Sequence, residues 1–314
     1  MQVFRSLPAL AELTARDRRG CVATIGAYDG IHLGHQEILR RVRERAAERE
    51  VPSLVFSFEP IPREYFAAAL PPPRLTRFRE RVELFQEAGI DWFFCPRFDA
   101  RMQGIRAVEF IDRLLVRGVR PARVVIGDDF RFARNREGGL DELRAAGRSH
   151  GFEVEQVGSV FVDGDRVSST AIRAALQGGD LARAERMLGR PYRMSGRVVP
   201  GRRLGRELGF PTANVSPGRR SSPLSGIFAV RVHGLGAAAL PGVASIGTRP
   251  TVEGGDGQVV LETHLFDFSA DIYGRHIAVE FVARLRNEEK FDSLPAMVEQ
   301  MHRDCAMARE ILAA

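Results

Sequence analysis

The sequence predicts an α/β doubly wound domain followed by a small all-β barrel domain with a C-terminal helix. Three observations support this fold class. Strand and helix patterns alternate up to about Leu188, short β runs rich in glycine and proline begin near Tyr192, and an amphipathic pattern occupies the C-terminal end. A chain of 314 residues is long enough for two domains that each bury a core.

Apolar runs of strand length alternate with helical periodicities in the first part of the chain. The predicted strands are Cys21–Ile25, Ser53–Phe58, Trp92–Cys95, Arg123–Ile126 and Glu153–Val157. The predicted helices lie near Gly34–Glu50, Thr76–Ala88, Arg106–Arg117, Leu140–His150, Thr170–Gln177 and Asp180–Leu188. This alternation favours a mostly parallel, doubly wound sheet with helices on its faces.

The second part, from about Tyr192, is rich in glycine and proline and contains short β runs, which indicates a small barrel. Its clearest β runs are Ile227–Val232, Val259–Phe266 and Ile277–Phe281, and a last amphipathic helix covers about Leu294–Leu312. We place the boundary at Gly189-Arg190-Pro191, which gives domains 1–188 and 189–314.

A glycine-rich turn with two histidines follows the first predicted strand and precedes a predicted helix. It runs from Gly26 to His35 with the sequence GAYDGIHLGH. Such a turn directs backbone N–H groups and the positive end of a helix dipole at one point, where a phosphate fits. His32 and His35 are donors for charge that develops there, and Asp29 is suited to a metal-nucleotide or to helix capping. The alternative is a tight glycine turn with two incidental histidines.

A second anion site is predicted at Val167-Ser168-Ser169-Thr170-Ala171-Ile172-Arg173. Hydroxyl groups precede a helix there, and Arg173 lies one turn further on, where a guanidinium clamps phosphate oxygens. An ordinary serine or threonine N-cap is the alternative. Taken alone, the segment from Val124 to Phe132 predicts a buried strand that ends in a turn.

A third candidate site lies in the glycine-rich segment from Gly196 to Asn214, which ends in GFPTAN. On an extended segment, Thr212 and Asn214 fall on one face, and their oxygens suit Mg²⁺ with substrate phosphates. A proline turn closed by asparagine is the alternative. Further along, Glu262 shares a strand face with His264 and is a candidate base, although an exposed strand glutamate gives the same alternation.

Composition excludes several function classes. The net charge is +6 at pH 7, and Lys290 is the only lysine, so nearly all of the positive charge is arginine. Acidic residues interrupt the arginine runs, and aromatic residues that could stack on bases are missing from these runs. We therefore expect no nucleic-acid partner. A P-loop needs the sequence GxxxxGK[ST], and Lys290, which lies between Glu289 and Phe291, cannot supply its lysine. The sequence predicts no membrane span and no signal peptide, and three cysteines without metal-ligand spacing suit the reducing cytoplasm.

The motifs together resemble a known family. HxGH and SSTAIR are similar to signatures of the nucleotidyltransferase superfamily, and the segment from Val124 to Phe132 resembles the GxDFxFG segment of prokaryotic FMN adenylyltransferases. PTAN, the segment Ala244–Thr251 (compared with GTxPT), the strand around Glu262 and the loop Leu285–Phe291 resemble riboflavin kinases. In this order they identify the chain as a member of the bacterial bifunctional riboflavin kinase/FMN adenylyltransferase, or FAD synthetase, family.

The resemblance implies that the first domain is nucleotidyltransferase-like and that riboflavin, FMN and ATP are substrates, with Mg²⁺ as cofactor and FMN and FAD as products. The implied catalytic residues are Glu262, His32 and His35. The implied nucleotide- and flavin-binding residues are Gly26, Asp29, Gly34, Asp129, Ser169, Thr170, Arg173, Gly205, Gly209, Pro211, Thr212, Asn214 and Arg286. Thr212 and Asn214 are also the implied metal ligands.

Three departures from the family pattern lie in the adenylyltransferase half. The family usually has Asn-Phe where this chain has Ala27-Tyr28, PHP where it has Ile61 between two prolines, and glycine where it has Ala133. These changes motivate a second hypothesis, a riboflavin kinase with a degenerate or altered nucleotidyltransferase domain. A third hypothesis is a non-enzymatic flavin- or RNA-binding regulator on the same folds.

Overall fold

The computed structural model describes residues 1–16, 19–67, 71–201, 205, 208–249 and 258–313. The chain forms two compact units, one of Met1–Pro72 with Thr76–Val167 and the other of Pro73–Leu75 with Ser168–Ala314. The first is built around a parallel sheet and the second around an antiparallel barrel with a C-terminal helix. The predicted fold class is therefore confirmed.

The first unit alternates strands and helices as the sequence predicts. Its strands are β1 (Gln2–Phe4), β2 (Cys21–Ile25), β3 (Ser53–Phe56), β4 (Trp92–Phe94), β5 (Pro121–Gly127) and β6 (Glu153–Val157), with a small hairpin of β7 (Phe161–Val162) and β8 (Asp165–Arg166). Its helices are α1 (Leu7–Arg16), α2 (Leu33–Glu48), α3 (Pro62–Phe66), α4 (Phe78–Glu87), α5 (Ala100–Gly104), α6 (Ala107–Glu109), which continues as the π-helix Phe110–Val119, and α7 (Leu140–His150). A 3₁₀ turn covers Arg134–Arg136.

The sheet has the strand order β1-β4-β3-β2-β5-β6, and all its pairs are parallel. Every residue of the central strand β2 is buried. Cys21 and Ala23 pack into one core and Val22 into the other, because alternate residues of a strand point to opposite faces of the sheet. β3 and β4 follow β2 on one side of it in the sheet, and β5 and β6 then lie on its other side. The carboxyl end of β2 is thus a topological switch point, where open α/β sheets bind ligands.

The outer strand β6 carries charges that are matched by neighbouring elements. Glu153 lies beside Arg123 of β5, its Cα partner, and also pairs with Arg49, the C-cap residue of α2. Glu155 receives hydrogen bonds from Arg123 at 2.8 Å and from Arg45 of α2 at 3.0 Å. The two carboxylates therefore link the end of the sheet to the helix that covers it.

The second unit begins with α8 (Ser169–Gly178) and α9 (Leu181–Leu188) and continues as a barrel. The barrel strands are β9 (Arg193–Val199), β10 (Thr212–Ser216), β11 (Gly226–His233), β12 (Leu240–Arg249), β13 (Gln258–Leu265) and β14 (His276–Arg286). They close in the order β10-β13-β12-β11-β14-β9, with antiparallel pairs throughout. The last helix, α10 (Leu294–Ala313), packs Cys305 and Ala308 against Val243 and Ala283 on the outer face of the barrel.

The structure adds elements that the sequence patterns do not predict. β1 has three residues and α1 has ten, and β9, β10 and β12 also lack a prediction. In a small barrel, backbone pairing to two neighbours defines strands even where apolar alternation is weak. The boundary between the compact units lies at Val167 and Ser168, while the composition change lies after Leu188, and domains 1–188 and 189–314 stay a prediction.

Candidate functional sites

The histidine turn after β2 forms the N-terminus of α2. His32 is the N-cap: its backbone is extended, with φ −75° and ψ 173°, and its Nδ1 accepts a hydrogen bond from the backbone N–H of His35 at 3.4 Å. A ring nitrogen that accepts carries no proton, so the neutral His32 ring holds its proton on Nε2. The structure thus assigns two tasks to one imidazole, since Nδ1 caps the helix and Nε2 is a donor.

The two imidazoles stack on each other at this turn. The ring centroids of His32 and His35 are 3.7 Å apart with an interplanar angle of 17°. A Cβ on Gly34 would lie 3.3 Å from His32 Nδ1, so the glycine leaves room for the capping ring. The arrangement brings both histidines of the HxGH sequence to the positive end of the helix dipole, as the sequence predicts for a phosphate site.

Tyr28, one of the departures from the family pattern, is accommodated without an unsatisfied hydroxyl. Its side chain is 1% exposed, its ring centroid is 4.9 Å from that of His35, and its hydroxyl shares a 2.6 Å hydrogen bond with Thr24 Oγ1. Burial raises the pKa of the Tyr28 phenol, which keeps it neutral. A Cβ on Gly26 would lie 2.9 Å from the tyrosine ring, which explains the glycine at this place.

Asp29 organises the turn from within. Its buried carboxylate accepts a hydrogen bond from the backbone N–H of Thr76 at 2.9 Å, and Thr76 Oγ1 accepts one from the backbone N–H of Gly30 at 2.8 Å. These bonds hold the segment that leads into α4 against the histidine turn. They give Asp29 a positioning role, and its predicted part in nucleotide binding stays a prediction.

The carboxyl end of β5 presents two adjacent carboxylates of different character. Asp128 accepts hydrogen bonds from the backbone N–H of Ser159 at 2.9 Å and from its Oγ at 2.7 Å. Burial raises the pKa of Asp128, but the Ser159 hydrogen bonds and Arg166 outweigh it, and the net pKa is lowered. Asp129, the predicted ligand residue, is largely exposed and lies 3.1 Å from Arg166. Asp128 is therefore the structural member of the pair and Asp129 the accessible one.

Ala133, in the loop after β5, holds a backbone conformation that favours glycine. Its φ is 64° and its ψ is −174°, a region that is essentially reserved for glycine and costs a side-chain-bearing residue about 1–3 kcal/mol. The family glycine at this place therefore has a conformational reason. Ala133 keeps the loop geometry at a cost in strain.

We expect Ala133→Gly to stabilise the first unit by about 1 kcal/mol, because relief of strain exceeds the glycine entropy cost of about 0.5–1 kcal/mol. The measurement is urea unfolding of both variants. Ala145→Gly is the matched control, since this exposed residue of α7 should lose about 1 kcal/mol on the same substitution. An Ala133→Gly variant destabilised as much as the control would contradict the assigned strain.

The SSTAIR sequence forms the N-terminus of α8. Ser168 is the N-cap, and its Oγ accepts a hydrogen bond from the backbone N–H of Ala171 at 3.1 Å. Ser169 and Thr170 are in the first turn of the helix, whereas the sequence pattern predicts these hydroxyls just before it. Arg173 is 7% exposed, and its Nε donates to the Pro73 carbonyl at 2.6 Å. The guanidinium thus helps to hold the segment Pro73–Leu75 in the second unit, and its grip on phosphate stays a prediction.

The second polar site is a row of side chains across three neighbouring barrel strands. Glu262 of β13 is the register partner of Asn214 of β10 and of Ser245 of β12. Directly opposed residues share a face of the sheet, with Cβ atoms about 5 Å apart. Leu261 and Thr263 are fully buried in the barrel while Glu262 is partly exposed, so the row lies on the outer face. Thr212 joins this face two residues before Asn214.

Two glycines leave space beside the predicted metal ligands. A Cβ on Gly201 would lie 2.1 Å from Asn214 Nδ2, and a Cβ on Gly205 would lie 3.3 Å from Thr212 Oγ1. Gly209 has φ 84° and turns the chain into the strand. The absence of side chains at these positions forms a glycine cradle, in which the Asn214 amide and the Phe210 carbonyl pack directly against the backbone. The hydroxyl and amide oxygens beside it are ligands of the kind that suit Mg²⁺ bound to phosphates.

His264 positions the start of β10. Its Nδ1 lies 2.9 Å from the Pro211 carbonyl oxygen, so Nδ1 carries a proton and donates it. The ring of Phe210 packs edge-on against His264 at 5.5 Å and against His302 of α10 at 4.8 Å. Sequence reasoning placed His264 on the face of Glu262 but missed Ser245, Gly201 and His302. Strand register would have revealed Ser245, whereas His302 has no local signal.

Arg286, a predicted flavin-binding residue, is engaged with the C-terminal helix. Its Nε and Nη2 donate to the nearly buried carboxylate of Asp304 at 2.9–3.0 Å. The fork geometry anchors α10 to the end of β14. Close by, a Cβ on Gly247 would meet the Glu288 carboxylate. Arg286 therefore has a structural partner, and its contact with flavin stays a prediction.

Some of the predicted segments lie partly outside the described residues. Pro250 and Thr251 of the sequence compared with GTxPT are outside them, as are positions 202–204 and 206–207 of the Gly196–Asn214 segment. In the part of the chain that is described, no helix is long and apolar enough to cross a membrane, and no three histidine, cysteine, aspartate or glutamate side chains cluster as metal ligands.

Comparisons with known proteins match both units. A family model described as FAD synthetase matches residues 14–171, and one described as riboflavin kinase matches residues 188–312. The chain is 47% identical to the bifunctional riboflavin kinase/FMN adenylyltransferase of Escherichia coli (strain K12) over 98% of this chain and 97% of that protein. It is also 47% identical to the Pseudomonas fluorescens protein of the same name over 100% of this chain and 98% of that one.

A solved structure is similar over most of the chain. It is described as a macrolide-efflux protein from Streptococcus pneumoniae and superposes with a TM-score of 0.76 at 28% identity, over 91% of this chain and 92% of that one. The similarity of fold agrees with the two units described above.

Proposed function

Because the chain belongs to the family of bifunctional riboflavin kinase/FMN adenylyltransferases, we propose that it makes FAD from riboflavin in two ATP-dependent steps. Riboflavin is phosphorylated to FMN, and FMN then receives the AMP part of a second ATP with release of pyrophosphate. One observation carries the proposal: each unit holds its own polar site, the histidine turn in the first and the Asn214–Glu262–Ser245 row in the second.

In the kinase step, we assign Glu262 as the general base. It takes the proton from the terminal ribityl hydroxyl of riboflavin as that oxygen attacks the γ-phosphorus of ATP, and ADP leaves. Thr212 and Asn214 would hold Mg²⁺, which neutralises charge on the phosphates when bound. The glycine cradle at Gly201 and Gly205 supports this assignment, because any side chain there would displace the Asn214 amide and crowd the Thr212 hydroxyl.

In the adenylyl step, an oxygen of the FMN phosphate attacks the α-phosphorus of ATP in line and pyrophosphate leaves. No protein nucleophile is required, so the protein contributes positioning and charge stabilisation. We assign His32 Nε2–H as a donor to the oxygens on which charge develops, with the N-terminus of α2 and His35 beside it. Asp129, Ser169, Thr170 and Arg173 stay predicted nucleotide ligands.

Substitution of Gly201 tests whether the glycine cradle is needed for Mg-ATP binding. Gly201→Ala should raise the KM for Mg-ATP in FMN formation about tenfold or more, because its Cβ would displace the Asn214 amide. FAD formation from supplied FMN should stay within twofold of wild type. Gly236→Ala is the control, since a Cβ there meets nothing within 4 Å. Steady-state kinetics of both steps give the answer, and an unchanged KM would contradict the cradle.

The second candidate function is a riboflavin kinase whose first unit has an altered activity. Ile61 is 4% exposed and is the N-cap of α3 without a side-chain hydrogen bond, and Ala133 in the loop after β5 has a strained backbone conformation. Against this candidate, His32, which caps α2, and its stacked partner His35 are both present in the turn. A purely non-enzymatic regulator has no need for the catalytic side chains that both units retain.

One assay separates these functions. The purified chain is incubated with riboflavin and Mg-ATP, and FMN and FAD are separated by chromatography. Accumulation of FAD supports the bifunctional enzyme, FMN without FAD supports the second candidate, and neither product supports a binder. Because ATP is a substrate of both steps, we propose the cytoplasm as the place of action.

A further inference from the structure

Arg81 of α4 is the largest fully buried charged side chain in the part of the chain that is described, and no sequence motif singles it out. Its side chain has 0% exposure. Both terminal nitrogens of its guanidinium are engaged: Nη1 donates to Ser57 Oγ at 2.9 Å and to the Ala27 carbonyl at 3.3 Å. Nη2 donates to the Phe58 carbonyl at 3.2 Å and to the Glu59 carboxylate.

The partners of Arg81 come from the ends of two adjacent strands. Ala27 follows β2 and leads directly into the histidine turn, whereas Ser57, Phe58 and Glu59 follow β3 and lead into Ile61 and α3. Ser57 Oγ also donates to the Ala27 carbonyl at 3.2 Å, so the serine bridges the same two segments. Ser57 has 0% exposure. The network therefore fixes the distance between two strand-to-helix turns at the ligand-binding edge of the sheet.

Burying this charge requires a reason beyond packing. An apolar residue of similar volume would fill the same space between Phe78 and Phe93, which lie 6.0 Å from the guanidinium carbon, without the desolvation cost of a buried ion pair. What an apolar residue cannot do is hold two carbonyl groups and a hydroxyl in a fixed arrangement. A planar guanidinium does so with several donors of fixed geometry.

We infer that Arg81 is a positioning residue for adenylyl transfer, holding the histidine turn after β2 in register with the segment after β3. The inference rests on the proposed function of the first unit. Arg81 acts without touching a reacting atom. It acts through Ala27, which sets the path of the chain into Tyr28 and His32, and through Ser57 to Glu59. A displacement of about 1 Å in such a site costs on the order of 10²-fold in rate.

The test compares Arg81→Met with Arg81→Lys in the full-length protein. We expect Arg81→Met to lower kcat for FAD formation, at saturating ATP and FMN, by about 10²-fold. We expect Arg81→Lys to restore only part of this rate, because an ammonium group keeps the charge and can donate to Ser57 and Glu59 but lacks the planar fork that also reaches the two carbonyl groups. Riboflavin kinase activity, measured on the same preparation, should stay within twofold of wild type. Arg79→Met is the matched control, since Arg79 is on the same helix, is exposed and pairs along the helix with Glu83.

A purely structural role gives a different result. It would lower the melting temperature of Arg81→Met but leave kcat per folded molecule near the wild-type value below that temperature, and this outcome would overturn the inference. Equal losses in the lysine and methionine variants would also overturn it. If Arg81→Met does not fold, Ser57→Ala decides, because it removes the bridging hydroxyl and little volume. A severalfold lower kcat at an unchanged melting temperature supports the inference, and an unchanged kcat overturns it.

Activity of the wild-type protein distinguishes a failure of the proposed function from a failure of the role inferred for Arg81. If it makes no FAD from FMN, the proposed function of the first unit fails and the inference fails with it. If wild type makes FAD and Arg81→Met makes it equally fast, only the inference about Arg81 fails.

Discussion

Replacement of Glu262 by glutamine should abolish FMN formation and leave FAD formation from supplied FMN unchanged. Glutamine keeps the size of the side chain and its hydrogen bonding, but it cannot accept the proton of the ribityl hydroxyl. General-base catalysis contributes about 10²–10⁴-fold, so we expect a loss of that order in kcat. The position of Glu262 between Asn214 and Ser245 in the strand register makes its environment polar on both sides, which glutamine tolerates.

The measurement is initial-rate chromatography of FMN and FAD with each substrate supplied separately. Ser245→Ala is the matched control, because it changes a neighbour in the same row without removing a carboxylate, and we expect at most a severalfold effect. A Glu262→Gln variant that forms FMN at a near wild-type rate would show that Glu262 is not the base. Loss of both activities would instead indicate a general folding defect.

The second large effect is expected at His32, where the structure allows two functions to be separated. His32→Asn keeps an N-cap acceptor for the His35 N–H, since asparagine is among the best capping residues, but it removes the donor at the Nε2 position. His32→Ala removes both. Loss of one donor to a developing oxyanion costs about 3 kcal/mol, or on the order of 10²–10³ in rate. We expect both variants to lose that factor in FAD formation at saturating ATP and FMN.

Stability distinguishes the two His32 variants from each other. Only His32→Ala should also lose about 1 kcal/mol of stability, the usual cost of a missing N-cap. Unfolding experiments and saturated kinetics on both variants, with FMN formation as the internal control, provide the measurement. If the saturated rate of His32→Asn equals that of wild type and only the KM for ATP rises, His32 binds phosphate and does not stabilise the transition state.

The parts of the fold that repeat a local pattern were predictable. The strand Cys21–Ile25 was predicted with its observed bounds because it is a continuous apolar run at the centre of a sheet. The helix after it begins at Leu33 instead of Gly34, since His32 supplies the cap. Strand β1 was missed because three residues carry no period.

The candidate sites were predictable where one short segment supplies the chemistry, and not where distant segments meet. The proximity of His32 and His35 follows from helical spacing, and that of Thr212 and Asn214 from strand spacing. The pairing of Asn214 with Glu262 depends on register between strands separated by a long stretch of chain. The bonds from Arg81 to Ala27 and Ser57 depend on packing of a helix over two strands, and no local sequence pattern encodes them.

The two units expose their backbones differently to other protein chains. The barrel closes on itself, so each of its strands has two hydrogen-bonded neighbours, whereas the open sheet ends at β6 on one side. Open strand edges are where foreign strands add and aggregation begins. A strand that approached β6 would have to accommodate Glu153 and Glu155 together with the arginines bound to them, at a cost in desolvation. Among the described residues the sheet has no strand beyond β6, and we expect the ion pairs on β6 to disfavour the addition of a foreign strand at this edge.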